Sequence, residues 1–123
     1  MSVEIRDLDG KIIFVYPGDT LAGAELKGER LLRVDLRHRD LRGINLERAF
    51  CREADFSYSD MSGEMTSLVY AQCHDAKFIG TNLFRANCER INICGADLTD
   101  ADAREIRSLG WKWDERTKFP KLM

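Results

Sequence analysis

The side chains best suited to chemistry in this sequence are two histidines and four cysteines, and they are dispersed along the chain. His38 and His74 could act as general bases near neutral pH, but neither accompanies a nucleophile motif or a glycine-rich phosphate loop. No two cysteines form a C-x-x-C pair. The cysteines are Cys51, Cys73, Cys88 and Cys94. The sequence therefore predicts no enzyme, no cofactor, and no catalytic, cofactor-binding or metal-binding residue.

A five-residue repeat determines where most of these residues lie. It runs from Ala24 to Glu105 in sixteen units and is interrupted once, by Glu64 and Met65. Each unit reads small or β-branched, polar, apolar, variable, variable. The third residues are Leu26, Leu31, Leu36, Leu41, Leu46, Cys51, Phe56, Met61, Leu68, Cys73, Phe78, Leu83, Cys88, Ile93, Leu98 and Ala103. Three of the four cysteines thus replace core leucines, as free thiols do in a reducing compartment.

A period of five fits neither a helix, with 3.6 residues per turn, nor a strand, whose side chains alternate every two residues. A fixed short period is typical of a solenoid, in which stacked units build the core together. The sequence resembles the pentapeptide-repeat family, A(D/N)LXX, most closely at Ala54-Asp55-Phe56, Ala86-Asn87-Cys88 and Ala96-Asp97-Leu98. The resemblance implies an all-β fold, a right-handed quadrilateral β-helix with one unit per side, and the first and third residues of each unit pointing inward.

On that model residues twenty apart stack, or twenty-two apart across Glu64 and Met65, and the units make about four coils. Adjacent coils should lie about 4.8 Å apart, as neighbouring strands do. His74 and Cys94 then become outward neighbours on one side, where a thiol beside an imidazole can be activated or can hold a metal. Two ligands do not make a zinc site, so thiol or metal chemistry at this pair is kept only as an alternative.

The segments outside the repeat are predicted to cap a single domain of residues 1–123, because open solenoid ends expose backbone and core. Residues 1–23 form the first cap. Within it, residues 3–16 read as a β-hairpin with a turn at Asp9-Gly10, and residues 19–23 read as a degenerate unit with Leu21 inward. Residues 24–105 are the repeats.

Residues 106–123 are predicted to form the second cap and a tail. A short helix begins at Thr99 or Asp100, continues through Ile106 and ends at Gly110. We expect the aromatic side chains that follow to pack on the last coil. They are Trp111, Trp113 and Phe119. The ending Thr117-Lys118-Phe119-Pro120 resembles those of many bacterial members of the family.

Charge is uneven along the chain although the formal total is −2. Residues 24–52 carry eight Lys or Arg against five Asp or Glu, whereas residues 53–102 carry three against nine. Glu29 and Arg39 occupy small inward positions of the first coil. Because buried charges need partners, either these two pair across the coil or that coil is looser and wetter than the others.

The acidic residues are predicted to stack on two neighbouring sides. One side holds Asp40, Asp60, Asn82 and Asp102; the other holds Asp35, Asp55 and Asp97. The family includes proteins that resemble duplex DNA in shape and charge and bind type II topoisomerases, so the resemblance makes such binding one alternative. Arginines interrupt the acidic surface here, namely Arg30, Arg33, Arg37, Arg39, Arg42, Arg48 and Arg52.

The favoured hypothesis is a non-catalytic binding or scaffold module that contacts a protein partner, without direct nucleic-acid binding. Few exposed apolar residues could meet on the walls, so we expect a monomer, or a weak homodimer through the C-terminal tail. The sequence holds no apolar run near eighteen residues, and the segment MSVEIRDLDG lacks the layout of a secretory signal. These two features predict a cytoplasmic protein without a membrane span.

Overall fold

Parallel β-bridges between successive coils form the main framework of the protein. The structure is a computed structural model that describes residues 1–121. The bridges fall in four columns, each made by the second residues of stacked units, and we call these columns walls. The first wall contains Glu25, Asn45, Ser67, Asn87 and Arg107; the second, Arg30, Phe50, Gln72, Asn92 and Lys112; the third, Asp35, Asp55, Lys77, Asp97 and Lys118; the fourth, Asp40, Asp60, Asn82 and Asp102.

The interior of the coils is apolar, as the repeat predicts. All sixteen third-position side chains are buried, and most first-position side chains are small and buried with them. Phe56 and Phe78 stack in one column with ring centroids 4.9 Å apart. The third residues form one continuous core because each coil places them directly above those of the coil below.

The chain turns at the fourth and fifth residues of each unit. Eleven residues other than glycine adopt a left-handed conformation, with φ between 55° and 63°, and all occupy the fifth position. Glycine is required at one such corner for a further reason. A Cβ at Gly80 would lie 2.7 Å from the Tyr58 ring, which covers this corner from the coil below. The two-residue interruption at Glu64 and Met65 is also accommodated at a corner, and the bridges resume in the same columns.

The predicted N-terminal hairpin is present. Strand β1, Ser2–Asp7, pairs antiparallel with β2, Ile12–Pro17, and the turn contains Asp9 and Gly10. Strand β1 also pairs antiparallel with β3, Val34–Asp35, which gives a sheet in the order β2-β1-β3. Ile5 is fully buried in the common core, so the hairpin covers the apolar end of the first coil.

The predicted C-terminal helix is wrong, and no helix occurs in residues 1–121. Residues 106–118 instead add a fifth rung to three walls, through bridges made by Arg107, Lys112 and Lys118. The backbone N–H groups of Cys88 and Ile93 donate to the carbonyls of Arg107 and Lys112 at 2.9 and 2.8 Å. A helix would have left those amides unpaired at the open edge of the fourth coil.

The two charged residues at small inward positions are not buried. Glu29 and Arg39 are both partly exposed, and within residues 1–121 they form no hydrogen bond or ion pair with each other. The first coil is therefore more exposed at these two inward positions than the coils that follow. Residues 122–123 of the predicted tail lie outside the described residues.

Candidate functional site

The outward side chains of this molecule lie on the walls. Their local structure follows from the second residue of each unit. Where this residue is Asp or Asn, its side-chain oxygen accepts a hydrogen bond from the backbone N–H of the fourth residue, as an Asx turn. Asn82 accepts from Phe84 and Asp97 from Thr99, both at 3.0 Å. The turn is thereby satisfied within its own unit.

On the fourth wall, arginines at the fourth position neutralise the acidic column. Arg42 donates from Nε and Nη2 to the two carboxylate oxygens of Asp40, both at 2.8 Å. Arg104 binds Asp102 in the same two-pronged way, at 2.9 and 2.8 Å. The hydrogen bond from Arg42 lowers the pKa of Asp40 to about 2. The predicted acidic stack therefore exists as a column, but its charge is largely paired.

The third wall contains one such two-pronged pair of an arginine with an aspartate. Arg37 donates to both oxygens of Asp35 at 2.9 Å, and this contact is the main reason that the pKa of Asp35 is lowered. Lys77 lies in the column between Asp55 and Asp97, so the acidic run is interrupted there. Asp97 keeps a lowered pKa despite partial burial, because Thr99 donates to it from both its hydroxyl and its backbone N–H.

The second wall differs from the others because its first three bridge residues are neither Asp nor Asn. They are Arg30, Phe50 and Gln72. A cavity of about 510 Å³ lies on this wall and is lined by these residues together with Leu32, Arg52 and His74. Sequence analysis did not single out this cavity. The sequence did contain a signal for it. At three units that stack on one side, spaced by twenty and twenty-two residues, the second residue of the repeat is neither Asp nor Asn.

The pair His74 and Cys94 does not form the thiol–imidazole contact considered from the sequence. The side-chain amide of Asn92 donates to Nε2 of His74 at 2.8 Å, which occupies that nitrogen's lone pair. Burial, helped by nearby Arg52, lowers the pKa of His74 and so favours its neutral form. Asp75 turns to the corner and binds Arg116 at 2.9 Å. No group of three or more potential metal ligands occurs in the described part of the chain.

The interior cysteines lie where the repeat predicts. Cys51, Cys73 and Cys88 are buried and Cys94 is partly exposed, and all four are free thiols. Burial raises the pKa of Cys88 to about 12. The pKa of Cys73 is raised first by its hydrogen bond with Cys51 and then by burial. The thiols of Cys73 and Cys88 are therefore kept in the unreactive protonated form.

Aromatic side chains at the corners are covered by arginines. The Arg48 guanidinium lies 4.7 Å from the centroid of the Tyr70 ring, with Arg90 on the same ring at 6.0 Å. Arg104 covers Phe84 at 5.4 Å. Guanidinium groups therefore lie over the Tyr70 and Phe84 rings. Such cation–π contacts contribute about 0.5–1 kcal/mol at exposed sites.

The family model for pentapeptide repeats matches eight copies in residues 35–63 and 71–107, which is more than half of the chain. The chain belongs to the pentapeptide-repeat family. This explains the Asx turns, since the family's second position is Asp or Asn. It also sets apart the second wall, where this pentapeptide-repeat protein departs from that pattern in three successive coils. No curated protein sequence matches the chain.

Solved structures of pentapeptide-repeat proteins share the fold. The protein Rfr23 from the cyanobacterium Cyanothece 51142 is 30% identical over 77% of this chain and 63% of its own, with a TM-score of 0.74. A thylakoid-lumen protein from Arabidopsis thaliana is 21% identical over 74% of this chain and 62% of its own, with a TM-score of 0.42. The chain thus spans less than two thirds of either length. The likeness to Rfr23 supports a β-helix and does not assign a partner.

Residues 1–121 contain no helix long and apolar enough to cross a membrane.

Three aromatic side chains form a cluster near the C-terminal end. Phe119 stacks on Trp111 with centroids 6.3 Å apart and meets the edge of Trp113 at 5.6 Å. Trp111 packs against the core, whereas Trp113 is 58% exposed. The predicted packing of these residues on the last coil therefore holds for Trp111, and Trp113 remains open to solvent.

Proposed function

We propose that this pentapeptide-repeat protein is a non-catalytic binding or scaffold module whose walls present side chains to a protein partner. The observation that supports the proposal is the bridge ladder. The backbone that carries each outward side chain is fixed by hydrogen bonds to the neighbouring coils. At Asp60, for example, its own N–H donates to the Arg39 carbonyl of the coil below, and the N–H of the next residue, Met61, donates to the Asn82 carbonyl of the coil above. A surface fixed in this way loses little conformational entropy when a partner binds.

The proposal includes the geometry of the coil, the cellular location of the protein and its oligomeric state. The coil is four-sided and right-handed, the protein works in the cytoplasm with its thiols reduced, and it is a monomer or a weak homodimer. The exposed Trp113 and Phe119 at the C-terminal end supply the contact for that dimer. Sedimentation of W113A at micromolar concentration tests this contact against Y58A, which removes a similarly exposed aromatic from a corner of the coils.

Capture of partners from a cell extract tests the binding function. The immobilised protein should retain a defined protein that free wild-type protein displaces, whereas a heat-unfolded sample should not. Retention of the same proteins by folded and unfolded samples would count against a role for the rigid walls. A reaction catalysed by the purified protein would contradict the non-catalytic part of the proposal.

Binding of a type II topoisomerase is the second candidate, and the acidic columns favour it. Asp40, Asp60 and Asp102 stack on the fourth wall, as a mimic of the DNA backbone needs. The paired arginines weaken it, because carboxylates bound to Arg42 and Arg104 attract a basic channel less strongly. Structural likeness to the fluoroquinolone resistance protein QnrB1 is slight, 18% identity with a TM-score of 0.21, and carries no argument. Protection or inhibition in a topoisomerase supercoiling assay would establish this function.

A further inference from the structure

The cavity on the second wall holds two arginines that no acidic residue neutralises. The side chains of Arg30 and Arg52 form no hydrogen bond or ion pair with any other residue of the described range 1–121. By contrast, Arg37, Arg42 and Arg104 each bind an aspartate of their own unit through two nitrogens. Two unpaired guanidiniums facing one cavity attract anions, and carboxylates in particular, because the planar fork matches their geometry.

Backbone donors line the same cavity. In units with Asp or Asn at the second position, the N–H of the fourth residue is taken by that side chain. On the second wall, the fourth residues Leu32, Arg52 and His74 donate their N–H groups to no acceptor in residues 1–121. Because their turns belong to the same repeat, these donors face the space between the second and fourth side chains, and they recur about every 4.8 Å along the wall. A bound carboxylate can therefore accept from an N–H and a guanidinium together.

Exposed apolar side chains stand between these donors. Phe50 is 44% and Leu32 55% exposed, and both line the cavity. An aromatic ring between two guanidiniums suits a ligand that combines carboxylates with an apolar side chain. The cavity volume of about 510 Å³ lies within the range typical of small-ligand sites.

We infer that the second wall binds an acidic, aromatic-containing segment of a partner protein in the cavity between Arg30, Phe50 and Arg52. This inference rests on the proposed binding function and names the chemistry of its partner. A nucleic acid is the less suitable anion. The protein carries a formal net charge of −2, so an extended polyanion is repelled beyond the cavity while a short acidic segment is not.

Fluorescence anisotropy with a labelled eight-residue peptide, seven glutamates with one central tryptophan, tests the inference. The double variant R30Q/R52Q should bind the peptide at least about 10-fold more weakly than wild type, since it removes both charge-assisted contacts. The matched control R37Q/R42Q removes two arginines that are already paired and should stay within about twofold of wild type. The single substitution Q72N should also weaken binding, because Asn supplies the N–H of His74 with an acceptor of its own. Thermal melts check that all three variants are folded.

Three outcomes would overturn the inference: no binding by wild type, equal loss in the two double variants, or tighter binding of single-stranded DNA of the same length than of the peptide. Failure of the proposed function looks different. If R30Q/R52Q no longer binds the peptide but still captures the partner that wild type captures, the inference about the cavity is wrong while the proposed binding function is supported. If peptide binding follows the expected pattern and no displaceable partner is captured, the proposed function fails and the cavity remains an acidic-peptide site.

Discussion

The second and fourth walls of this β-helix are made by the same repeat and yet end up chemically opposite. On the fourth wall, Asp40 and Asp102 satisfy their own turns and pair with Arg42 and Arg104. In the first three coils of the second wall, Arg30, Phe50 and Gln72 occupy the equivalent position. The N–H groups of the fourth residues and the side chains of the two arginines there therefore have no hydrogen-bond partner within residues 1–121. A single position in a five-residue unit therefore decides whether a wall is satisfied by the chain itself or left open to a ligand.

The largest expected difference is in the rate of thiol labelling between the outer face of the second wall and the core beneath it. Cys94 lies on that wall and should react at once with a thiol reagent, whereas Cys51, Cys73 and Cys88 should react only when the protein unfolds. Since the unfolded fraction of a native protein is typically about 10⁻³–10⁻⁶, the buried thiols should label slower by about three to six orders of magnitude. Mass spectrometry of timed reactions measures this. Equal labelling of all four thiols would refute the inward assignment, and a Cys51–Cys73 cross-link would refute the reduced state.

The next largest effect compares the shared core with the fourth wall. Phe78→Ala should destabilise the protein by about 3–5 kcal/mol, because the buried ring stacks on Phe56 and its removal leaves a cavity. Phe84→Ala removes an aromatic of the same size from the fourth wall, where it contacts Arg104 rather than the core. Its cost should be about 1 kcal/mol. Denaturant unfolding measures both, and similar losses would mean that Phe84 belongs to the core.

A reciprocal exchange of the turn residue tests the cause of the difference between the walls. Asn82→Gln on the fourth wall withdraws the oxygen that accepts from Phe84 N–H and should destabilise by about 1 kcal/mol. Gln72→Asn on the second wall supplies an oxygen for the N–H of His74 and should stabilise by about 0.5–1 kcal/mol. Changes in free energy of unfolding with the same sign for both variants would show that the Asx turn does not distinguish the walls.

The smallest effect concerns the charge pairs of the fourth wall. In wild type the carboxyl of Asp40 should titrate near its lowered pKa of about 2, and Arg42→Gln should return it toward 3.8. Because the folded-state pKa is depressed, the pair contributes stability that is present above pH 3.8 and is lost as the pH falls through about 2. The pair is exposed and screened by solvent, so its contribution to stability should be the smallest of these effects. NMR titration of the Asp40 carboxyl carbon measures the pKa, and an unchanged value in the variant would contradict the pairing.

Much of the fold was accessible from the sequence because the repeat acts locally. The third residues had to face inward, since theirs is the only position that is apolar in all sixteen units and no single unit could bury them. The same reasoning located the turn at Asp9 and Gly10 and the two-residue insertion at a corner. Each of these features depends on a few neighbouring residues, so it can be read without knowing what packs against it.

The C-terminal segment could not be settled locally. Residues around Ala103 and Ile106 are compatible with a short helix, but the fourth coil presents the N–H groups of Cys88, Ile93 and Leu98 to whatever follows. Tertiary structure decided the outcome, because a fifth rung supplies carbonyls that accept hydrogen bonds from these N–H groups, whereas a helix would leave them unpaired.

The site was decided in the same way. The sequence determined that His74 and Cys94 share a wall, and that Arg30, Phe50 and Gln72 replace the usual Asp or Asn. Only the tertiary structure shows that Nε2 of His74 is hydrogen-bonded to Asn92 and not to the Cys94 thiol. It alone also shows that Arg30 and Arg52 line the same cavity. Hydrogen-bond partners on a solenoid wall come from coils about twenty residues apart, so geometry, and not the order of residues within a unit, chooses among them.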